Sequence, residues 1–165
     1  MATPKKDLLQ PIDDAVRRQA KGLIRSARFA ALGTLDPTDG SPAVSRVALA
    51  TAIAGDPVIL ISRLSGHFTN LEQDARCSLL VGEPGKGDPL AHARITLIGT
   101  AEIVPAGREL DNLRRRYLSR HPKASLYDGF KAWRQDGPAC SGEFDQQAAW
   151  QATLTTRATR TTRTE

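Results

Sequence analysis

Cysteine, histidine and aromatic residues are all scarce in this chain. Of 165 residues two are cysteine and three histidine, and aromatics make up 5 %, so Ala, Val, Leu and Ile must supply most of the core. Cys77 and Cys140 stand far apart and match no metal-ligand or redox spacing. With no disulfide framework to protect, a reducing compartment is expected. Cys77 falls in the apolar run 77–81 and reads as a small buried hydrophobe. His67, His92 and His121 are too scattered to form a metal site, and none is expected. No apolar run approaches the roughly 18 residues of a membrane span. Residues 1–10 are polar and charged, without the apolar stretch of a signal peptide. Together these absences predict a cytoplasmic protein without a membrane partner. Catalytic signatures are missing as well: no Walker loop, no G-x-G-x-x-G after a strand, no H-E-x-x-H and no G-x-S-x-G. A self-contained acid–base or nucleophilic enzyme is therefore disfavoured, and no catalytic residue is assigned. An enzyme built on this chain would draw its difficult chemistry from a cofactor.

The length suits one domain and is enough to bury a core without a metal or disulfide staple. Formal net charge is +5, and residues 151–165 account for two of those charges, which leaves the rest only mildly basic. The run Arg114, Arg115, Arg116 reads as a solvated helix face. No aromatic-interleaved basic patch accompanies it, so no nucleic-acid partner is expected.

Periodicity orders the chain. Residues 1–10 read as a flexible leader. Apolar positions spaced by three and four predict a helix over 12–27, with Asp13 and Asp14 at its start and Arg25 and Arg28 at its end. A short apolar run over 29–35 closes in a turn at 36–40. From 44 to 53 the period is two, with Val47, Leu49, Thr51 and Ile53 on one face and Arg46, Ala48, Ala50 and Ala52 on the other. Residues 58–62 form a strand apolar on both faces, which has to be covered on both sides. A helix over 67–75 follows, with Ser65 as its N-cap. Strands are predicted from 76 to 81 and from 91 to 104, the latter with Arg94, Thr96, Ile98, Thr100 and Glu102 on one side. Helices are predicted over 108–120 and 123–130. Strands joined by short turns, with few helices between them, favour an antiparallel α+β barrel. Residues 137–165 carry no useful period and are expected to be a disordered tail.

The most informative stretch is 61–71. There a buried strand ends in Ser62 and Arg63, turns through Gly66 and enters a helix carrying His67 and Asn70. A helix N-terminus offers unpaired N–H groups and a positive dipole end, so it suits a phosphate. Ser62, Arg63 and His67 add hydroxyl, guanidinium and imidazole donors, and Arg46 could supply a second guanidinium. A surface turn with an exposed arginine and a solvated histidine accounts for the same residues.

The blocks 42–49, 59–71, 75–81 and 93–102, with the Arg116-Tyr117 to Pro122 helix end, resemble the FMN-binding split-barrel family related to pyridoxamine 5′-phosphate oxidase. Within it they are most similar to the heme-utilisation branch. The likeness covers about 15–130 and implies an antiparallel split β-barrel with flanking helices, a domain over 11–136. It further implies a homodimer with FMN at the subunit interface. Carried over, it places Arg46 and the backbone of Val47, Ala48 and Leu49 against FMN. Ser62, Arg63, His67 and Asn70 would surround the phosphate, with Arg94 approaching the flavin. The resemblance weakens at 129–145, where relatives complete the barrel and pocket. An incomplete pocket with weakened FMN binding is expected from that departure. The implied function is an FMN-dependent oxidoreductase acting on a small molecule, the alternative being a non-catalytic flavin- or heme-binding protein.

Overall fold

The computed structural model describes residues 14–126, 131–136 and 151–155. The first helix, α1 (Asp14–Ser26), packs Ala20 and Ile24 onto the core, with Leu23 and Ala27 beside them. It leads into β1 (Phe29–Leu35), β2 (Pro42–Ala48), the two-residue β3 (Ala50–Thr51) and β4 (Pro57–Ile61). Then come α2 (Gly66–Gln73), β5 (Arg76–Val81), β6 (Arg94–Ile103) and α3 (Arg108–Arg120). Two further strands are β7 (Lys131–Asp136) and β8 (Gln151–Thr155).

All pairings are antiparallel, in the order β2-β1-β5-β6-β7-β4-β3. The two ends of that order, β2 and β3, are halves of one strand bent at Leu49. The sheet therefore runs round on itself, and the bent strand is its seam. Leu49 still donates its N–H to the Arg28 carbonyl, beside β1 (2.9 Å), whereas Ala50 already pairs with Val58 of β4. Among the described residues no ladder joins β2 to β4, although the two approach one another. This gap is the split of an antiparallel α+β barrel.

Alternation along β6 is as the sequence predicts: Ile95, Leu97 and Ala101 are buried and Ile98 and Thr100 exposed. Leu32, Leu49, Ile61, Leu71, Leu79, Ile95 and Leu97 are fully buried in one cluster. Each such side chain contributes about 1.5–3 kcal/mol. A second cluster joins Ala50, Val58, Val104, Leu113 and Tyr117 beneath α3. Burial pushes the Tyr117 phenol up to about 12 and the Cys77 thiol up to about 12, so both stay protonated at neutral pH.

Three expectations are corrected. The two-fold pattern read through to residue 53 breaks at Leu49: Ala50 is buried and Ile53 is 77 % exposed, because the bend hands the chain to a new partner strand. The helix read over 123–130 shrinks to a single 3-10 turn, Pro122–Leu126, and 127–130 lie outside the described residues. The tail contributes a strand: β8 runs along Arg94 to Ile98 of β6, beside β7, which takes Thr100 to Ile103. Threonine suits a pleated sheet, and the open edge of β6 supplies the partner. The remainder of the leader and tail lies outside the described residues. Among the described residues no helix is long and apolar enough to cross a membrane.

Candidate functional site

β4 delivers Ser62 and Arg63 to the seam of the barrel, where the chain turns into α2. The turn is built from its own serines. Leu64 N–H donates to Ser62 Oγ (3.2 Å), and Ser65 donates both its N–H (3.1 Å) and its hydroxyl (2.7 Å) to the Ser62 carbonyl. Ser65 thus occupies the N-cap position, as the sequence predicts, but its side chain turns back and makes no cap hydrogen bond. The first amides of α2 are left without a side-chain acceptor. Ser62 Oγ is used as an acceptor, which leaves its proton free to donate outward. Arg63 is exposed, and Leu64 beside it is 97 % exposed. His67, half-buried in the first turn, has its pKa lowered by burial and is a neutral imidazole at pH 7. No carboxylate stands among residues 62–71.

Across the seam lies β2. Leu49 N–H donates to the Arg28 carbonyl without a return bond, the last rung of the β1–β2 register. The alternation of an antiparallel ladder then turns the backbone groups of Val47 and Leu49 toward β1, and those of Arg46 and Ala48 toward the open edge. Leu49 is engaged on both sides, since its carbonyl accepts from His121 Nε2 (2.9 Å). The Arg46 side chain is exposed, its guanidinium 5.2 Å from the centre of the Phe29 ring. Ser62, Arg63 and His67 thus lie together at the β4–α2 turn, and Arg46 stands on β2, the strand that approaches β4.

Asn70 and Arg94 are held elsewhere. Asn70 is buried and its Nδ2 donates to Thr34 Oγ1 of β1 (3.0 Å), which fixes α2 on the barrel. Arg94 Nη1 donates to the carbonyls of Leu90 (3.1 Å) and His92 (3.4 Å) and so braces the loop between β5 and β6. That loop closes tightly: at Gly82 (φ +130°) an added Cβ would lie 2.6 Å from the Ala93 carbonyl oxygen. Within one chain β6 is also separated from β2 by β5 and β1.

The seam borders a sheet face that the sequence reading did not single out. In the paired register Val44, Gly33, Ser78 and Ile98 form one row across four strands, and Arg46, Ala31 and Leu80 the next. Val44 is 73 % exposed, Ile98 47 % and Leu80 44 %. Ser78 Oγ lies over Gly33, 2.6 Å from where a Cβ would stand, which keeps the middle of the row shallow. The exposed half of the two-fold alternation in β2, β5 and β6 was the available signal, since it contains Val44, Leu80 and Ile98 instead of polar residues. Among the described residues no group of His, Cys, Asp or Glu is placed to hold a metal ion.

The sequence pattern of pyridoxamine 5′-phosphate oxidase matches residues 16–151. The chain belongs to the pyridoxamine 5′-phosphate oxidase family. A family relative, the chloroplastic heme oxygenase HOZ of Arabidopsis thaliana, is 35 % identical over 92 residues, 54 % of this chain and 27 % of the relative. The chain thus spans about a quarter of that curated protein. Among solved structures, Atu2129 of Agrobacterium tumefaciens, of unknown function, is 30 % identical with a TM-score of 0.71, covering 88 % of this chain and 60 % of that one. A heme-binding protein of Mycobacterium smegmatis is 29 % identical with a TM-score of 0.68, at the same coverage. Residues 131–136, where the resemblance weakens in sequence, fall inside the family match and form β7, which bridges β4 and β6.

Proposed function

We propose that the chain binds FMN at the seam between β2 and the β4–α2 turn, in a pocket completed by a second copy, and works as a flavin-dependent oxidoreductase on a small molecule. The observation that carries this reading is the start of α2, where the Ser65 hydroxyl is turned back to the Ser62 carbonyl and caps no amide. Ser62 hydroxyl, the Arg63 guanidinium, the His67 imidazole and the first amides of α2 fit a phosphate. Arg46 and the open-edge N–H of Ala48 would meet the rest of the flavin. Asn70 sets the position of α2, and Arg94 keeps its loop in place. Bound FMN would supply hydride and electron transfer, while the chain supplies binding and orientation.

The exposed face bearing Val44, Leu80 and Ile98 fits a second copy, because Arg46 shares that face and a partner laid there would roof the seam. Isolation with a flavin absorbance spectrum, at twice the chain mass in solution, and bleaching of that spectrum by NADH or NADPH is the expected result. A colourless monomer that takes up no FMN on titration would overturn the reading. Heme is the second reading, favoured by the relatives named for it. The His92 and His121 rings are held by the carbonyls of Lys86 and Leu49, so His67 is the histidine left to meet it. A Soret band on heme addition, lost in His67→Ala, is its signature.

A further inference from the structure

The C-terminal half of α3 grips the bend between β2 and β3 with side chains that the proposed flavin site does not use. Tyr117 Oη donates to the Ala48 carbonyl (3.2 Å), His121 Nε2 lies 2.9 Å from the Leu49 carbonyl, and Arg116 Nε donates to the Thr51 carbonyl (3.2 Å). A carbonyl only accepts, so the His121 proton in this contact is on Nε2. Tyr117 and His121 are four residues apart, one helical turn, and their ring centroids lie 4.9 Å apart. Arg120 reaches the other way, from Nη2 to the carbonyls of Ser26 (2.5 Å) and Ala27 (2.8 Å), and Arg28 Nη2 donates to the Arg120 carbonyl (2.7 Å). One turn of helix ties together the end of α1, the entry to β1 and the bend.

The bend needs such partners. At Leu49 the chain is leaving the ladder with β1 and has not yet joined the ladder with β4, so its carbonyls lose their strand donors. Leu49 is fully buried, and a buried carbonyl left without a donor is costly. α3 supplies the missing donors from side chains, and side-chain donors on a rigid helix also fix the angle of the bend.

We infer that Tyr117 and His121 are positioning residues: by holding the Ala48–Leu49 bend they aim Arg46 and the open edge of β2 at the ligand. This rests on the flavin reading above. Both residues act through the strand, since their side chains bond the Ala48 and Leu49 carbonyls.

Three variants test it. His121→Leu removes the donor and keeps bulk, His121→Gln restores an N–H at nearly the same reach, and Tyr117→Phe deletes one hydroxyl. Two readouts separate the clamp from the ligand: amide hydrogen exchange over residues 46–50 in the flavin-free protein, and FMN titration by flavin fluorescence. His121→Leu should speed exchange there and weaken FMN binding, each roughly tenfold, and His121→Gln should bring both back toward wild type. Should His121→Leu fail to fold, Tyr117→Phe carries the same two readouts. Unchanged exchange in the variants that remove a donor, or a glutamine as impaired as the leucine, overturns the proposal. Clamp-dependent exchange in a wild-type chain that takes up no FMN overturns the flavin role while the clamp itself stands.

Discussion

At the scale of single residues, the site separates side chains that face the seam from those that hold it. Asn70 stood beside His67 as a phosphate neighbour on sequence grounds, yet its amide belongs to Thr34, 36 positions earlier. Such a partner is invisible to local pattern, because it depends on which strand α2 lies across. Asn70→Ala leaves the Thr34 hydroxyl buried without its donor and is expected to cost about 1–3 kcal/mol in urea unfolding. Replacing both, Thr34→Val with Asn70→Leu, should recover much of that loss, since two apolar groups leave nothing unpaired. His67 gives a pH prediction. Burial holds its folded pKa below the ordinary 6.5, so the unfolded chain takes up a proton first. Its contribution is present above that ordinary value and is lost as pH falls through the lowered folded one. Chemical denaturation between pH 7.5 and 5 should show this loss in the wild type and a flatter acid limb in His67→Gln. Asp74, held at about 2 by hydrogen bonds from Arg76, does not enter that window.

Among the elements, what the sequence made legible were those with a local cause. The alternation of β6, the helical stripe of α3 and the serine at the head of α2 all follow from spacing or from a residue's own backbone preference. The bend at Leu49 does not, because its cause is the handover between two strands remote in sequence. Strand β8 was missed for a like reason: a Thr-rich segment has no core-facing pattern and takes its structure from the open edge of β6. The same physics makes α2 testable. Ser65→Asp places a better acceptor at the cap position, where it meets the first amides directly. The helix end should gain about 1 kcal/mol in thermal unfolding. FMN affinity should fall at least about tenfold, because a carboxylate then occupies and repels the place of the phosphate. Greater stability with undiminished affinity would put the phosphate elsewhere.

For the whole molecule, the barrel closes through one bent strand and leaves an apolar face beside the seam. Fold and family were both legible, since the motif blocks keep their order along most of the chain. The apolar face was legible only in part: the alternation marks Val44, Leu80 and Ile98 strand by strand, but that they share one face follows only once the strands are in register. Val44→Arg sets a charge on the β2 end of that face and should convert the proposed dimer to a monomer on size exclusion, with loss of flavin in parallel and little change in unfolding. A variant that stays dimeric and yellow would place the contact on another surface.

The account turns on a phosphate held at the head of α2, and comparing FMN with riboflavin isolates that group. Titrated into the flavin-free protein, FMN should bind roughly a hundredfold more tightly than riboflavin, and Arg63→Ala should remove most of the difference. Equal affinity for the two flavins would contradict it.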